Sequence, residues 1–275
     1  MKFKISIIAA LLLAMMILTF TGCGTSPANS GSSVDNSTAA EQAAGKIDGK
    51  TVMVYCGAGM KDPFTEIAKS FEEETGAVVE LTFGNAANII SQITASNQGD
   101  LFIAGAETEL KSLKEQNYVT DTKPLVKHIP VVAVTEGNPK GIQTIADLGR
   151  EDVTLILGDA ESTPIGKIAD AVLSDAGMSD TANILARTAT APEMITALQT
   201  EEADAAIVWK ENASGKDKIM IPEMPDMEQY IKTIPAASLS CTNTDNAEVL
   251  EAFLDYLDTE KAKNIWISYG YELAE

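Results

Sequence analysis

Residues 51–64, Thr51-Val-Met-Val-Tyr-Cys-Gly-Ala-Gly-Met-Lys-Asp-Pro-Phe64, decide how the chain folds. The apolar run at 52–55 indicates a buried strand, and the glycine-rich stretch 57–59 indicates a tight turn after it. Helical spacing on one face follows in Phe64, Ile67, Ala68 and Phe71. Such a junction leaves unpaired backbone N–H groups and a positive dipole end above the strand. The stretch therefore predicts a small-anion site.

The composition limits the classes of partner. The chain has 275 residues, of which 45% are hydrophobic and 22% charged, enough for one large or two medium domains. Its formal charge is -20, and loss of a leader with Lys2 and Lys4 would make it -22. This charge disfavours nucleic acid and anionic membrane surfaces. It is screened beyond about 10 Å at 0.1 M salt, so local N–H donors can still hold an anion.

Residues 1–22 have the pattern of a signal peptide. Residues 1–4 are basic, 5–20 are apolar, and Thr21-Gly22-Cys23 follows. This order resembles the bacterial lipoprotein signal, although Phe20 stands where that signal usually has leucine. The resemblance implies that Cys23 is the lipidated first residue and that 23–48, which is rich in Ser, Gly and Ala, is a lipid-anchored flexible linker. The alternative is an uncleaved membrane helix, which needs about 20 apolar residues.

Strand and helix patterns alternate along the rest of the chain. The predicted strands are 52–55, 78–83, 101–104, 131–135, 153–157, 184–187, 205–209 and 234–239. Among the predicted helices are 107–116, 247–257, 260–269 and one that carries Ile89, with Asn88 as its N-cap. This order is typical of α/β proteins with mainly parallel sheets.

The same order predicts a two-lobe architecture. Lobe I takes residues 49–129 and 234–275, and lobe II takes residues 130–233, so two segments cross between the lobes. A cleft between two lobes is a preferred site for small ligands, and hinge closure is the usual motion of such a fold.

The cysteines leave two interpretations open. Cys56 and Cys241 lie at the ends of apolar strand patterns, where an exported protein can form a disulfide and where a small buried thiol fits equally well. The sequence has no CxxC pair and no His/Cys cluster, so it predicts no structural zinc site. It predicts neither a metal nor a cofactor.

Other motifs point to no chemistry. The glycines at 57 and 59 begin like a dinucleotide fingerprint, but Asp62 occupies its third glycine position. His128, the single histidine, lies beside the predicted hinge and indicates a structural role. The patterns of common hydrolases and kinases are missing from the sequence, so an enzyme is the minor alternative, and turnover assays on candidate anions would detect one.

Residues 50–275 resemble the molybdate-binding proteins of bacterial ABC importers. The order and spacing of several stretches carry the resemblance, including the closing segments 252–257 and 269–271. The other stretches are 54–60, 83–89, 100–106, 157–166 and 202–209. The resemblance implies a type II two-lobe binding protein that delivers a tetrahedral oxyanion to a membrane permease.

The resemblance also implies a set of ligand-binding residues. The family's anion site falls here on Gly59, Ala86, Ile165, Ala191 and Trp209, with Asn85 as an additional candidate. The first two positions are usually serines and the last a tyrosine, so Gly59, Ala86 and Trp209 depart from the family pattern. Other side-chain donors would have to replace the missing hydroxyls, and the candidates are Asn85, Asn88, Ser162 and Thr163.

The start of the first helix affects the charge at this site. Asp62 and Pro63 suit the N-cap and N1 positions, which would bring a carboxylate towards the anion. The family pattern instead starts the helix nearer Met60, with Pro63 inside the first turn, and we prefer that start.

Taken with the resemblance, the sequence predicts a monomeric, lipid-anchored protein on the extracytoplasmic face of the cell membrane. Its expected partners are a small oxyanion, molybdate or tungstate first, and the permease of an ABC transporter. A sensory binding lipoprotein for a different small anion is the alternative. A neighbouring permease gene would favour import, and a neighbouring sensor-kinase gene would favour sensing.

Overall fold

A computed structural model describes residues 47–274 of the chain. The predicted signal peptide, the predicted lipid anchor at Cys23 and almost all of the predicted linker lie outside the described residues. Ile47, which we assigned to the linker, is buried and packs in a hydrophobic core. The packed structure therefore includes the last residues of that segment.

Strands and helices alternate as the sequence predicts. In chain order they are β1 (Thr51–Gly57), α1 (Lys61–Thr75), β2 (Val78–Gly84), α2 (Ala86–Ser96), β3 (Leu101–Ile103), α3 (Lys111–Glu115), β4 (Val119–His128), β5 (Pro130–Thr135), β6 (Thr154–Gly158), α4 (Pro164–Asp175), β7 (Asn183–Thr188), α5 (Ala191–Gln199), β8 (Ala205–Trp209), α6 (Lys210–Ala213), β9 (Ile219–Met220), β10 (Lys232–Leu239), α7 (Ala247–Tyr256), α8 (Glu260–Ser268) and β11 (Glu272–Leu273). Short 3-10 turns lie at Ala58–Met60, Glu107–Leu110, Ile145–Gly149, Pro225–Tyr230 and Thr244–Asn246.

The strands form two sheets. The first has six strands in the order β11-β4-β10-β3-β1-β2, in which β1 is parallel to β2 and β3, and β10 is antiparallel to β3 and β4. The second has five strands in the order β7-β6-β8-β5-β9, in which β6 is parallel to β7 and β8, and β5 is antiparallel to β8 and β9. Helices flank both sheets, which confirms the predicted α/β class. Both sheets are mixed rather than mainly parallel, because four of the nine neighbouring strand pairs within residues 47–274 are parallel and five are antiparallel.

Each sheet has its own core. Aromatic side chains from α1, α7 and α8 meet against the first sheet, where the ring centroid of Phe64 lies 6.0 Å from that of Phe253 and 6.1 Å from that of Trp266. Aliphatic side chains of β5, β6 and β8 fill the second core, together with the buried faces of α4 and α5. The two cores share no residue, so each sheet packs separately with its own helices.

The helix starts refine the sequence analysis. α1 begins at Lys61, so the preferred start near Met60 is confirmed and Asp62 lies in the first turn. The predicted N-cap of α2 is wrong: Asn85 caps the helix, and its side chain accepts a hydrogen bond from the Asn88 N–H at 2.9 Å. The apolar spacing begins only at Ile89, one turn after the helix itself begins. The predicted helix 107–116 is a 3-10 turn followed by the single-turn α3.

The two cysteines are free thiols. Cys56 is buried in the core of the first sheet, whereas Cys241 is half-buried against a different cluster and its thiol contacts the Gly99 carbonyl at 3.2 Å. Of the two interpretations of these cysteines, the disulfide bond is therefore wrong and the free thiols are confirmed.

Candidate functional site

The carboxyl ends of β1 and β2 bring two helix beginnings together. The two strands are parallel and end in register, with Gly57 opposite Gly84. Gly59 is exposed in the 3-10 turn that leads into α1, and Ala86 is the first residue of α2. The first N–H groups of a helix have no acceptor within it, so this edge carries unpaired donors and positive dipole ends.

The second sheet repeats the arrangement. β6 and β7 end in register, with Gly158 opposite Thr188, and β8 runs parallel to β6. Ile165 is the second residue of α4, Ala191 is the first residue of α5, and Trp209 is the last residue of β8. All three predicted positions therefore lie at one edge of this sheet.

A cavity of about 570 Å³ brings the two edges together. Its lining comes from α1, α5 and α6 and from the C-terminal segment, and comprises Gly59, Asp62, Pro63, Ala191, Pro192, Ile195, Thr196, Gln199, Glu211, Asn212, Lys216, Tyr269 and Tyr271. Of the predicted ligand-binding residues, Gly59 and Ala191 face this one cavity from the two sheets. The described lining does not include Asn85, Ala86, Ile165 or Trp209.

The start of α4 is packed too closely to offer side-chain donors. A Cβ on Gly166 would lie 2.5 Å from the Asp159 backbone, so this helix approaches the preceding loop at a distance that only glycine permits. The Ser162 hydroxyl donates to the Asp159 carboxylate at 2.7 Å, and the Thr163 hydroxyl donates to the Asp159 carbonyl at 2.6 Å. Thr163 also caps α4 by accepting from the Gly166 N–H. Both hydroxyls, which the sequence offered as replacement donors, are used locally.

Trp209 packs on the single histidine. The two rings are stacked, with centroids 3.5 Å apart and an interplanar angle of 18°. His128 is the last residue of β4 in the first sheet, whereas Trp209 ends β8 in the second, so the stack joins the two sheets. His128 is 8% exposed. This buried and stacked position beside the segment that crosses between the sheets agrees with the structural role that the sequence predicts for His128.

Tyr271 and Glu211 belong to the cavity and were missed by the sequence analysis. The Tyr271 hydroxyl lies 3.5 Å from the Gly59 carbonyl, and it donates towards the loop that carries the predicted site. Burial and the neighbouring Glu211 carboxylate raise the pKa of Tyr271 above its ordinary value, so the hydroxyl keeps its proton. The sequence analysis used segment 269–271 only as part of the resemblance to the family. No local pattern in this segment predicts that it lines a cavity.

The charges on the cavity wall are mixed. Asp62, Glu211 and Lys216 all line it. Asp62 is exposed in the first turn of α1, so the preferred helix start does not remove its carboxylate from the cleft. One ammonium and two carboxylates therefore share the wall of the same cavity.

A larger and more open groove, of about 1180 Å³, lies between α1 and α8. It shares Asp62 and Tyr269 with the cleft, and it includes none of the predicted ligand-binding residues. Gly59 and Ala191, at the beginnings of one helix from each sheet, line the smaller cavity, so the smaller cavity is the candidate site.

Two sheets with parallel βα units and a cleft between helix beginnings define a two-lobe, type II periplasmic binding protein. The family model described as bacterial extracellular solute-binding protein matches residues 52–272. The chain therefore belongs to that family of solute-binding proteins, whose members are not enzymes. Within residues 47–274, no helix is both long and apolar enough to cross a membrane.

Individual relatives agree with this assignment. A Haemophilus influenzae protein named "Putative binding protein" is 29% identical over 182 residues, which cover 65% of this chain and 74% of the relative. The molybdate-binding protein ModA of Mycobacterium bovis is 22% identical over 249 residues, 87% of this chain and 88% of the relative. A solved structure, "substrate binding domain of putative molybdenum ABC transporter from Clostridium difficile", has a TM-score of 0.69 at 22% identity and covers 82% of this chain and 99% of that chain.

Proposed function

We propose that the protein is the extracytoplasmic binding lipoprotein of an ABC importer and that it captures a tetrahedral oxyanion in the interlobe cleft. The observation that supports this most directly is the shared cavity, which Gly59 lines from the first sheet and Ala191 lines from the second. A compact anion between them would accept hydrogen bonds from both lobes at once, because helix beginnings present unpaired N–H groups and a positive dipole end.

The absence of serine at two positions does not remove the main-chain donors. A backbone N–H survives any change of side chain except to proline, and Gly59 allows close approach of a ligand. Each hydrogen bond to a charged group contributes about 1.5–3 kcal/mol, so losing two hydroxyls weakens binding by about two to four powers of ten. The Asn85 and Asn88 side chains remain candidates to replace them, since Asn85 uses its carbonyl oxygen as a cap and keeps its NH₂ group.

Molybdate and tungstate are the first candidate ligands. Relatives named for molybdate binding support this choice. Hinge closure of the two lobes would bring Ala86, Ile165 and Trp209 nearer to an anion held at Gly59 and Ala191. In this proposal lobe I comprises residues 49–129 and 234–275, and lobe II comprises 130–233.

Delivery to a permease follows from the same proposal. Cys23 would carry the lipid anchor, and residues 24–46 would tether the binding lobes to the outer face of the cell membrane. The protein would act as a monomer, since one cleft with both lobes is contained in one chain.

Titration calorimetry with molybdate, tungstate, sulfate, phosphate and chromate tests the ligand class. We expect a saturable signal from at least one of these anions. If none of the five produces heat of binding, the oxyanion proposal is refuted.

A single proline substitution tests whether main-chain N–H donors hold the anion. Ala191→Pro removes the N–H at the first residue of α5, where proline suits a helix, and Thr190 already has the extended backbone that proline requires of its predecessor. We expect the affinity to fall about 10- to 100-fold, the value of one hydrogen bond to a charged group. Glu260→Pro is the matched control at the first residue of α8, also after an extended residue, and should leave affinity unchanged.

A further inference from the structure

The contacts of His128 specify how many protons its ring carries. Its Nδ1 lies 3.2 Å from the Gly105 carbonyl oxygen, and its Nε2 lies 3.1 Å from Oε1 of Glu211. A carbonyl and an ionised carboxylate only accept hydrogen bonds, whereas a neutral imidazole has one N–H and one acceptor nitrogen. A neutral ring would therefore direct a lone pair at one of the two oxygens. Rotating the imidazole ring by half a turn would place ring carbon atoms, which form no such hydrogen bonds, against both oxygens.

We propose that His128 is doubly protonated and that its ion pair with Glu211 positions the wall of the anion cleft. Glu211 lines the cavity, follows β8 in α6 and has a side chain only 9% exposed. His128 belongs to the first sheet, so the pair fixes a cleft residue of the second sheet against the first. His128 acts on the ligand through Glu211, which makes it a positioning residue.

The surroundings of the imidazole favour a cation. The face of Trp209 covers the ring, and an aromatic face attracts a positive charge. Glu109 lies close enough to interact electrostatically with His128, and its carboxylate accepts from the Gly105 N–H at 2.8 Å. The Tyr271 ring centroid lies 6.3 Å from that of His128. Beyond these groups, Lys167 lies near Glu109, and Lys210 of α6 pairs with Glu272 of β11.

The pair has a consequence for anion binding, which rests on the proposed function of the cleft. When His128 carries its second proton, the negative charge of Glu211 is compensated by a cation at hydrogen-bond distance. Loss of that proton leaves the carboxylate uncompensated at the cleft wall, where it repels an anion. Removing the cation while keeping Glu211 should therefore lower the affinity for an anion.

Nitrogen NMR of the ligand-free protein tests the proton count directly. His128 is the single histidine in the sequence, so in ¹⁵N-labelled protein without a histidine tag its ring signals need no assignment. We expect both ring nitrogens to have imidazolium shifts at neutral pH. In Glu211→Gln the amide can donate to Nε2, so the ring should become neutral. The matched control Glu272→Gln, which removes a different ion pair between the sheets, should keep the imidazolium. A neutral ring in the wild-type protein would overturn the proposal.

Calorimetry with sodium molybdate at neutral pH tests the coupling to the ligand. His128→Gln should bind molybdate roughly fivefold more weakly than the wild type, as expected for removing one charge near a partly solvated site. Glu272→Gln should keep the wild-type affinity. Equal affinities for the wild type and His128→Gln would refute the coupling, even with imidazolium shifts in the NMR spectrum. Failure of all oxyanions to bind would refute the proposed function, and the NMR result would still decide on the ion pair.

Discussion

The carboxylate of Asp62 offers the most direct test of where the anion lies. It is exposed in the first turn of α1 and lines the same cavity as Gly59, three residues earlier. If an anion binds at the Gly59 N–H, a fixed negative charge lies close to it and opposes binding. Asp62→Asn removes that charge while keeping the size of the side chain, so it should raise the affinity for an oxyanion.

The expected gain follows from the helix geometry. Three residues of helical backbone rise about 5 Å, so the carboxylate lies about 6 Å from an anion at the turn. Two unit charges at about 6 Å interact with about 0.7 kcal/mol in water and about 2.8 kcal/mol at an effective dielectric constant of about 20. Because Asp62 is exposed, the lower figure applies, and a divalent anion doubles it. The affinity should therefore rise about tenfold.

Calorimetry on the wild type and Asp62→Asn at low and high salt measures this gain. The difference between the two proteins should shrink at high salt, because exposed charges are screened over about a Debye length. Asp180→Asn, a change at an exposed residue outside the described cavity lining, is the matched control and should leave the affinity unchanged. An unchanged or weaker affinity in Asp62→Asn would refute an anion position at the start of α1.

Three further predictions concern the fold. Phe64→Ala should lower the free energy of unfolding by about 3–5 kcal/mol in urea, because the ring is fully buried among other aromatic side chains. Cys241 should react with a thiol reagent long before Cys56, since burial raises the pKa of the Cys56 thiol and the side chain is 0% exposed. Burial and the Asp175 carboxylate raise the pKa of Tyr230 to about 12. Its contribution to stability should be complete below about pH 10 and lost as the pH rises towards 12, and Tyr230→Phe should remove that part of the unfolding pH profile.

The sequence predicts elements best where local pattern and burial agree. The predicted strand 205–209 coincides with β8, whose residues Ala205 to Val208 are all buried. β4 was missed because its first half, with Thr120, Asp121 and Lys123, is polar and contains Pro124. Its pairing with β10, rather than its own composition, makes it a strand.

The candidate site was predictable only in part for a similar reason. A helix beginning after a strand can be predicted from glycine and capping residues, and this placed Gly59 and Ala191 at such beginnings. Their choice as ligand-binding residues came from the family resemblance, and both line the cavity. The contribution of Tyr271 depends on how the last segment of the chain packs against the first lobe. Glu211 and Trp209 depend on contacts with His128, which lies 83 residues from Glu211 in sequence. Local pattern contains no information on such distant contacts.

The position of β10 in the first sheet determines when that sheet can be completed. β10 lies between β4 and β3 in the middle of the sheet, yet it is encoded after the whole second sheet. During synthesis, which proceeds from the N-terminus, strands β1 to β3 must wait for a central neighbour until residue 239 has left the ribosome. The second sheet draws its strands from one continuous stretch, residues 130–220, and has no such delay. The first sheet therefore closes only after the whole second sheet has been synthesised, and its completion depends on a segment close to the C-terminus.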